Sequence, residues 1–427
     1  MKIHTFFLLF YLFFFDLCFF GQSTYKNVQI PIPTNAKYPY SQVEPSIAIN
    51  SNNLNELIAG SVMNDYYYSK DGGQNWNSTS LKSKYGVNGD PVLMFDKFGS
   101  VYYFHLANYK KTQRLDRIVC QKSKSIEGFW NQGTFPKENG TKVQDKHQVS
   151  YNHKKNTFYL TWTQFDGYQS KNPLDSSIIL FSKSNNGGNT WTNPKRISNS
   201  SGTCLDDDQT VEGAVSSIGI NGEIYVIWVK DENIYFQVSY DDGETWLKNE
   251  RIIQKIYGGW VQEVPGIYRC NGFPSLICDT SQSSNRGRLY LSWTDLRNGA
   301  ENSDVFLSYS DNSGESWSTV QKVNQDFTKS SQFFSSMAID QKNGNLYVVY
   351  MDRREQIDWN TDIFLSQSTD GGNSFEDIRI SQKPFKPNPE IFFGDYLSIA
   401  AFNNKIRPIW PRMDERKITL WTAIIDY

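Results

Sequence analysis

A short pattern returns six times along the chain: Ser, then Asp or Asn two places on, Gly four or five places on, and an aromatic at the seventh. The copies run from Ser69 to Trp76, Ser184 to Trp191, Ser239 to Trp246, Ser310 to Trp317 and Ser368 to Phe375, with a degenerate copy from Ser123 through Gly128 to Trp130. They start 54, 61, 55, 71 and 58 residues apart. That period suits one four-stranded sheet per repeat, arranged radially as a β-propeller.

The pattern has the chemistry of a tight turn. Asp or Asn caps backbone N–H groups, Gly takes the positive φ that other residues avoid, and the aromatic tucks between neighbouring sheets. Alternating strands precede the copies, as in Asp304–Ser310 and Asp362–Ser368. Candidate inner strands begin at Glu44, Asp90, His147, Gly213, Phe273 and Phe334, and a further unit from Gly394 to Ile424 carries three strands and no turn copy. The segment 27–32 precedes the first unit and has no other partner, so it is expected to supply the seventh unit's outer strand. The expectation is an all-β fold with a single propeller of seven blades, six being the alternative, closed by strands from both termini so that no sheet edge is left open. Pro31 and Pro33 limit how far that closing strand extends.

The chain begins with Lys2 and His4, an apolar run from Phe6 to Phe20 and then Gly21-Gln-Ser23. This reads as a signal peptide over 1–22, leaving 23–427 as one exported propeller domain. The run is short and interrupted by Asp16, so no membrane span is expected in the mature chain. No Pro/Ser-rich linker or charge run divides the repeats. A formal charge of -2 offers no basic field for nucleic acid. Of the four cysteines after the leader, Cys204 and Cys270 fall in loops before consecutive blades and are the expected disulfide pair, whereas Cys120 and Cys278 fall in apolar strands and are expected buried and free.

In this blade order the heads of the inner strands and the loops between second and third strands share one face. Five consecutive blades place a carboxylate at those heads: Asp395, Glu44, Asp90, Asp145 and Glu212. Like charges at one mouth require compensation. Lys146 and His147 are candidates, as is a Ca²⁺ or Mg²⁺ held by Glu44, Asp90 and Asp395. The alternative is that the carboxylates cap loop N–H groups. Three loops of the same face carry Arg297, Arg353 and Arg412, each near an Asp; these either converge to clamp an anion or form local Asp–Arg pairs.

The repeated turn matches the Asp-box, and the chain resembles the sialidase-like propeller superfamily over nearly all of residues 23–427. In sialidases the resemblance implies an arginine triad, a Tyr nucleophile activated by Glu and an Asp acid/base; by position these would be Arg297, Arg353 and Arg412, Tyr396, and residues among Glu212, Asp145 and Asp90. The chain departs from that pattern, because Ile30-Pro-Ile-Pro33 lacks the arginine of the sialidase N-terminal motif. Two functions stay open. One is a secreted glycosidase, not a typical sialidase, acting on a glycan with two ring carboxylates. The other is a non-catalytic propeller binding glycan, protein or metal on the same face.

Overall fold

The computed structural model describes residues 25–34, 42–109 and 115–427. The leader expected over 1–22, including Cys18, lies outside them. Among the described residues there is no α-helix, so none long and apolar enough to cross a membrane.

Seven antiparallel sheets form the ring. Blade 1 spans Ser46 to Ser80, blade 2 Val92 to Ser123, blade 3 Val143 to Arg196, blade 4 Glu212 to Lys255, blade 5 Ser275 to Lys322, blade 6 Gln332 to Arg379 and blade 7 Ser398 to Asp426. Blades 1 to 6 run in chain order from the inner strand outward. Blade 7 obtains its fourth strand from Lys26–Ile30, which pairs antiparallel with Lys417–Asp426 in the register Lys26 to Ile424 and Ile30 to Leu420. The expected closure is therefore present, and pairing stops just before Pro31.

Second strands such as Leu289–Asp295 and Leu346–Asp352 are buried at every position. A strand with a neighbouring blade against each face has no solvent side, so its sequence is nearly continuous in apolar and small residues. Trp228, Trp293 and Trp410 lie wholly inside these layers. Burying each such ring removes a large apolar area from water and dominates the inter-blade packing.

The repeated turns are local hydrogen-bond cages. In blade 1, Ser69 Oγ donates to Asp71 Oδ1 (2.9 Å) and accepts from the Gly73 N–H (2.9 Å). Asp71 Oδ1 accepts the Asn75 N–H at 2.9 Å, and the Trp76 indole donates to the Gly73 carbonyl at 3.0 Å. The same Ser–Gly contact recurs at Ser184, Ser239, Ser310 and Ser368. In the degenerate copy Ser123 Oγ donates to the Ser125 carbonyl. That blade has three strands, and a lone bridge between Cys120 and Thr134 stands where the fourth would be.

One expectation is corrected. Cys204 and Cys270 are both free, buried thiols: Cys204 packs with Val143 and Phe165, and Cys270 packs in the separate core that contains Phe333 and Phe393. Proximity of their loops in the blade order did not bring the side chains together. Cys120 and Cys278 are buried and free, as expected.

Candidate functional site at the channel mouth

The backbone turns sharply just before the inner strands of blades 1 and 2 and within the first residues of those of blades 3 and 6. Glu44, Asp90, Lys146 and Phe334 all hold positive φ, at 53°, 50°, 45° and 51°. Non-glycine residues avoid this region, and each such residue costs on the order of 1 kcal/mol or more unless its surroundings hold it there. Blades 3, 4 and 6 add a bulge at the same height. Lys146 and His147 together oppose Trp162, Gly213 and Ala214 oppose Trp228, and Phe334 and Ser335 oppose Tyr350. Bulges re-aim side chains out of the pleat, and here they frame a cavity of about 310 Å³ bordered by Asp90, Lys146, Asn271, Phe273, Asp395 and Tyr396.

The ring of carboxylates forms around two cations. Lys146 Nζ donates to Asp395 Oδ2 at 3.0 Å. Arg269 donates Nε to Asp395 Oδ1 at 2.9 Å and Nη2 to Oδ2, and it also lies 3.7 Å from Asp206. Asn271 Nδ2 fixes the Asp395 backbone carbonyl at 3.0 Å. Burial opposes ionisation of Asp395, yet Lys146 and Arg269 together hold its carboxyl below the usual range. Burial likewise opposes the charge on Lys146, but Asp395, Asp90, Glu44 and Asp145 keep it firmly protonated.

The other carboxyls are held towards their protonated forms. Burial, then the fields of Asp90 and Asp395, raises Glu44 well above its ordinary value. Asp90 is raised by burial and by Asp395, against the pull of Lys146, and shares a hydrogen bond with Glu44. Burial followed by the charge of Asp90 pushes Asp145 up to about 7, although its Oδ1 accepts the Lys146 N–H at 2.8 Å. Glu212 is driven up by burial and then by Asp206, whose Oδ2 accepts from the Tyr168 hydroxyl at 2.6 Å. Tyr396, under the field of Lys146 at 5.7 Å from its ring centre, is held protonated by burial and by Asp90, Glu44 and Asp395. That is the reverse of what a phenoxide nucleophile needs. His147 is buried, and desolvation pushes it down to about 3, so it is neutral and does not offset the carboxylates.

The arginine arc does not converge. Arg297 is held by Asp295 through Nε (2.9 Å) and Nη2 (2.6 Å), and Arg412 by Asp414 through Nε and Nη2 (both 2.7 Å). In blade 6 the equivalent partner of Asp352 is Arg354, at 2.8 Å. Arg353 is instead buried against Phe333, donating to Thr361 Oγ1 and to the Pro265 carbonyl. The local Asp satisfies each of these half-buried guanidinium groups before it can reach the channel. The cation missed from sequence is Arg269, on the segment 256–274 between blades 4 and 5. Its signal was the 71-residue interval there, the longest between repeats.

Among the described residues, no three His, Cys, Asp or Glu side chains are arranged to hold one metal ion. Glu44, Asp90 and Asp395 do share the mouth, but Asp395 spends both oxygens on Lys146 and Arg269.

No protein-family model matches the chain, and no curated protein matches it. Solved structures do match in fold. An ulvan lyase of polysaccharide lyase family PL25, bound to -[GlcA(1-4)Rha3S]-, aligns over 95% of this chain and 96% of its own with a TM-score of 0.55 and 12% identity. The GH93 α-L-arabinofuranosidase of Fusarium graminearum, in complex with arabinobiose, aligns over 84% and 98% with a TM-score of 0.50 and 14% identity. YCF48 bound to D1 peptide aligns over 94% and 95% with a TM-score of 0.50 and 10% identity. At such identities the likeness is one of fold.

Proposed function

We propose that this protein is an exported, carbohydrate-active hydrolase working at the channel mouth, with Asp145 as general acid/base and Asp90 as its partner carboxylate. The observation that carries the reading is the Asp145–Lys146–Asp90 arrangement: Asp90 and Lys146 border the cavity, and Asp145, the residue before Lys146, is poised at about 7 by burial and the charge of Asp90. Glycosidic cleavage uses two carboxyls, one that gives a proton to the leaving oxygen and one that acts as base or nucleophile, and the charge of Lys146 favours the ionised form of Asp90 against its burial. Tyr396 then serves as a wall and hydrogen-bond donor, not as the nucleophile. A polysaccharide lyase and an α-L-arabinofuranosidase are among the solved structures of like fold, which supports the substrate class. The crowding of carboxyls disfavours an acidic sugar at this spot, so sialosides are expected to be poor substrates.

A second reading, a binding propeller without chemistry, is favoured by one observation: Glu44, Glu212 and Asp395 are each no more than 5% exposed. A panel of neutral, acidic and amino glycans assayed for new reducing ends separates the two. The hydrolase reading expects release from at least one non-acidic glycan, lost in Asp145→Asn; binding with no release from any glycan would leave the second reading.

A further inference from the structure

Taking the channel mouth to be the glycan site, we propose that its corner formed by Asp145, Asp206 and Glu212 binds a primary ammonium group, and that the glycan accepted here is an amino sugar. Three observations lead there.

Six carboxyl groups, Glu44, Asp90, Asp145, Asp206, Glu212 and Asp395, face two cations, Lys146 and Arg269. Both cations are directed to a single one of the six, Asp395. The opposite corner is therefore left without a hydrogen-bonded cation, and its carboxyls Asp145 and Glu212 are held towards their protonated forms, a state that an arriving cation would reverse. Within it Glu212 is 1% exposed, its carboxyl lies against that of Asp206, and its Oε2 accepts from no donor group among the described residues. A buried carboxyl oxygen without a donor is costly unless something arrives to donate. Asp206 has one donor in the Tyr168 hydroxyl and a distant one in Arg269, and keeps acceptor capacity to spare. Gly213, the residue after Glu212, borders the cavity.

The chemistry of the occupant follows from the spacing. A bare divalent ion needs several oxygens within bonding distance of one point, and the described residues provide no such group of three. An ammonium on a sugar ring is different. It brings three N–H donors pointing to separate acceptors, which suits carboxyls contributed by different blades. Its ring can stack on the aromatic walls of the cavity, Phe273 and Tyr396. An acetylated amine would lose the charge and two of the donors.

Calorimetric titration of the mature chain at about pH 6 and low salt tests this, with a β-1,4-linked glucosamine tetramer and its N-acetylated counterpart as probes. The free amine is expected to bind at least about tenfold tighter and to lose most of that margin at about 0.5 M salt. Glu212→Gln and Asp206→Asn should each remove about tenfold from the amine's affinity and leave the acetylated tetramer unaffected, with far-UV circular dichroism unchanged. Equal binding of the two tetramers, an amine preference untouched in both variants, or displacement of the amine by millimolar calcium would each overturn the proposal. A lysine oligomer binding as tightly as the glucosamine tetramer would overturn its sugar component. Hydrolysis of a neutral glycan with no amine preference defeats this inference and leaves the hydrolase reading standing. Tight, Glu212-dependent amine binding without cleavage of any glycan does the opposite.

Discussion

Lys146 Nζ lies 3.0 Å from Asp395 Oδ2 and so ties the third blade to the seventh across the channel, between residues far apart in sequence. Lys146 is 16% exposed and Asp395 2%. Removing one member of such a pair strands the other's charge in a poorly solvated site. Lys146→Met is expected to lower unfolding free energy by about 3 kcal/mol or more, and the double variant with Asp395→Asn should recover part of the loss. Denaturant midpoints of both single variants and of the double measure it; a double-variant loss equal to the sum of the single losses would mean that the pair carries no coupling.

Ring closure makes the second test. Ile30 is fully buried and pairs with Leu420. Ile30→Ala should cost about 2–4 kcal/mol. A chain starting after Pro31 would leave the strand Lys417–Asp426 as a bare sheet edge, and such edges recruit other chains. Sedimentation should show that truncated chain self-associating; a stable monomer would count against the closing role.

The turns can be probed with two glycines of positive φ. Gly314 has φ 80°, and a Cβ there would collide with the ring of Phe236, whereas Gly140 has φ 61° and open space around it. Gly140→Ala carries only the backbone penalty, about 1 kcal/mol. Gly314→Ala adds overpacking and should cost about 2 kcal/mol beyond that. Thermal unfolding of the two variants side by side distinguishes them.

Stability should also depend on pH in an unusual direction. Glu44, Asp90 and Asp145 have native values raised above those of an unfolded chain, so between the ordinary carboxylate range and about 7 the native state binds more protons than the unfolded one. Stability then falls as pH rises through that window. Asp395, whose value is lowered, acts oppositely and loses its contribution only at more acid pH. Asp145→Asn should flatten the slope and raise stability at about pH 8 by about 1–3 kcal/mol. Chemical denaturation at pH 5 and pH 8 reads both effects.

What could be read from sequence was what local chemistry determines. Ser69, Asp71, Gly73 and Trp76 build their turn with partners within seven residues, so the repeat and the blade count were legible. The segment ending at Ile30 had one open sheet edge available to it, so closure was legible too. The ring carboxylates followed from blade order, since Glu44 and Asp90 stand at equivalent heads of inner strands. Arg269 was not legible, because an inserted loop has no repeat to set its position and its reach to Asp395 exists only in three dimensions. For Arg297 and Arg412 the sequence left a converging clamp and local Asp–Arg pairs both open, and an Asp two residues away captures each guanidinium. His147 was a candidate counter-charge by position, but burial removes its proton.

The central claim is that the carboxyls of the mouth perform glycosidic chemistry at a cost in stability, as functional groups held away from their preferred charge state do. The most direct measurement is glycan hydrolysis by the mature chain and by Asp145→Asn, each paired with its unfolding midpoint at about pH 8. The expected result is an Asp145→Asn protein that is more stable than the parent and has lost about a hundredfold or more of its kcat, because the amide keeps the packing and lacks the titrating oxygen. A variant that cleaves the same glycan at the parental rate would contradict the account.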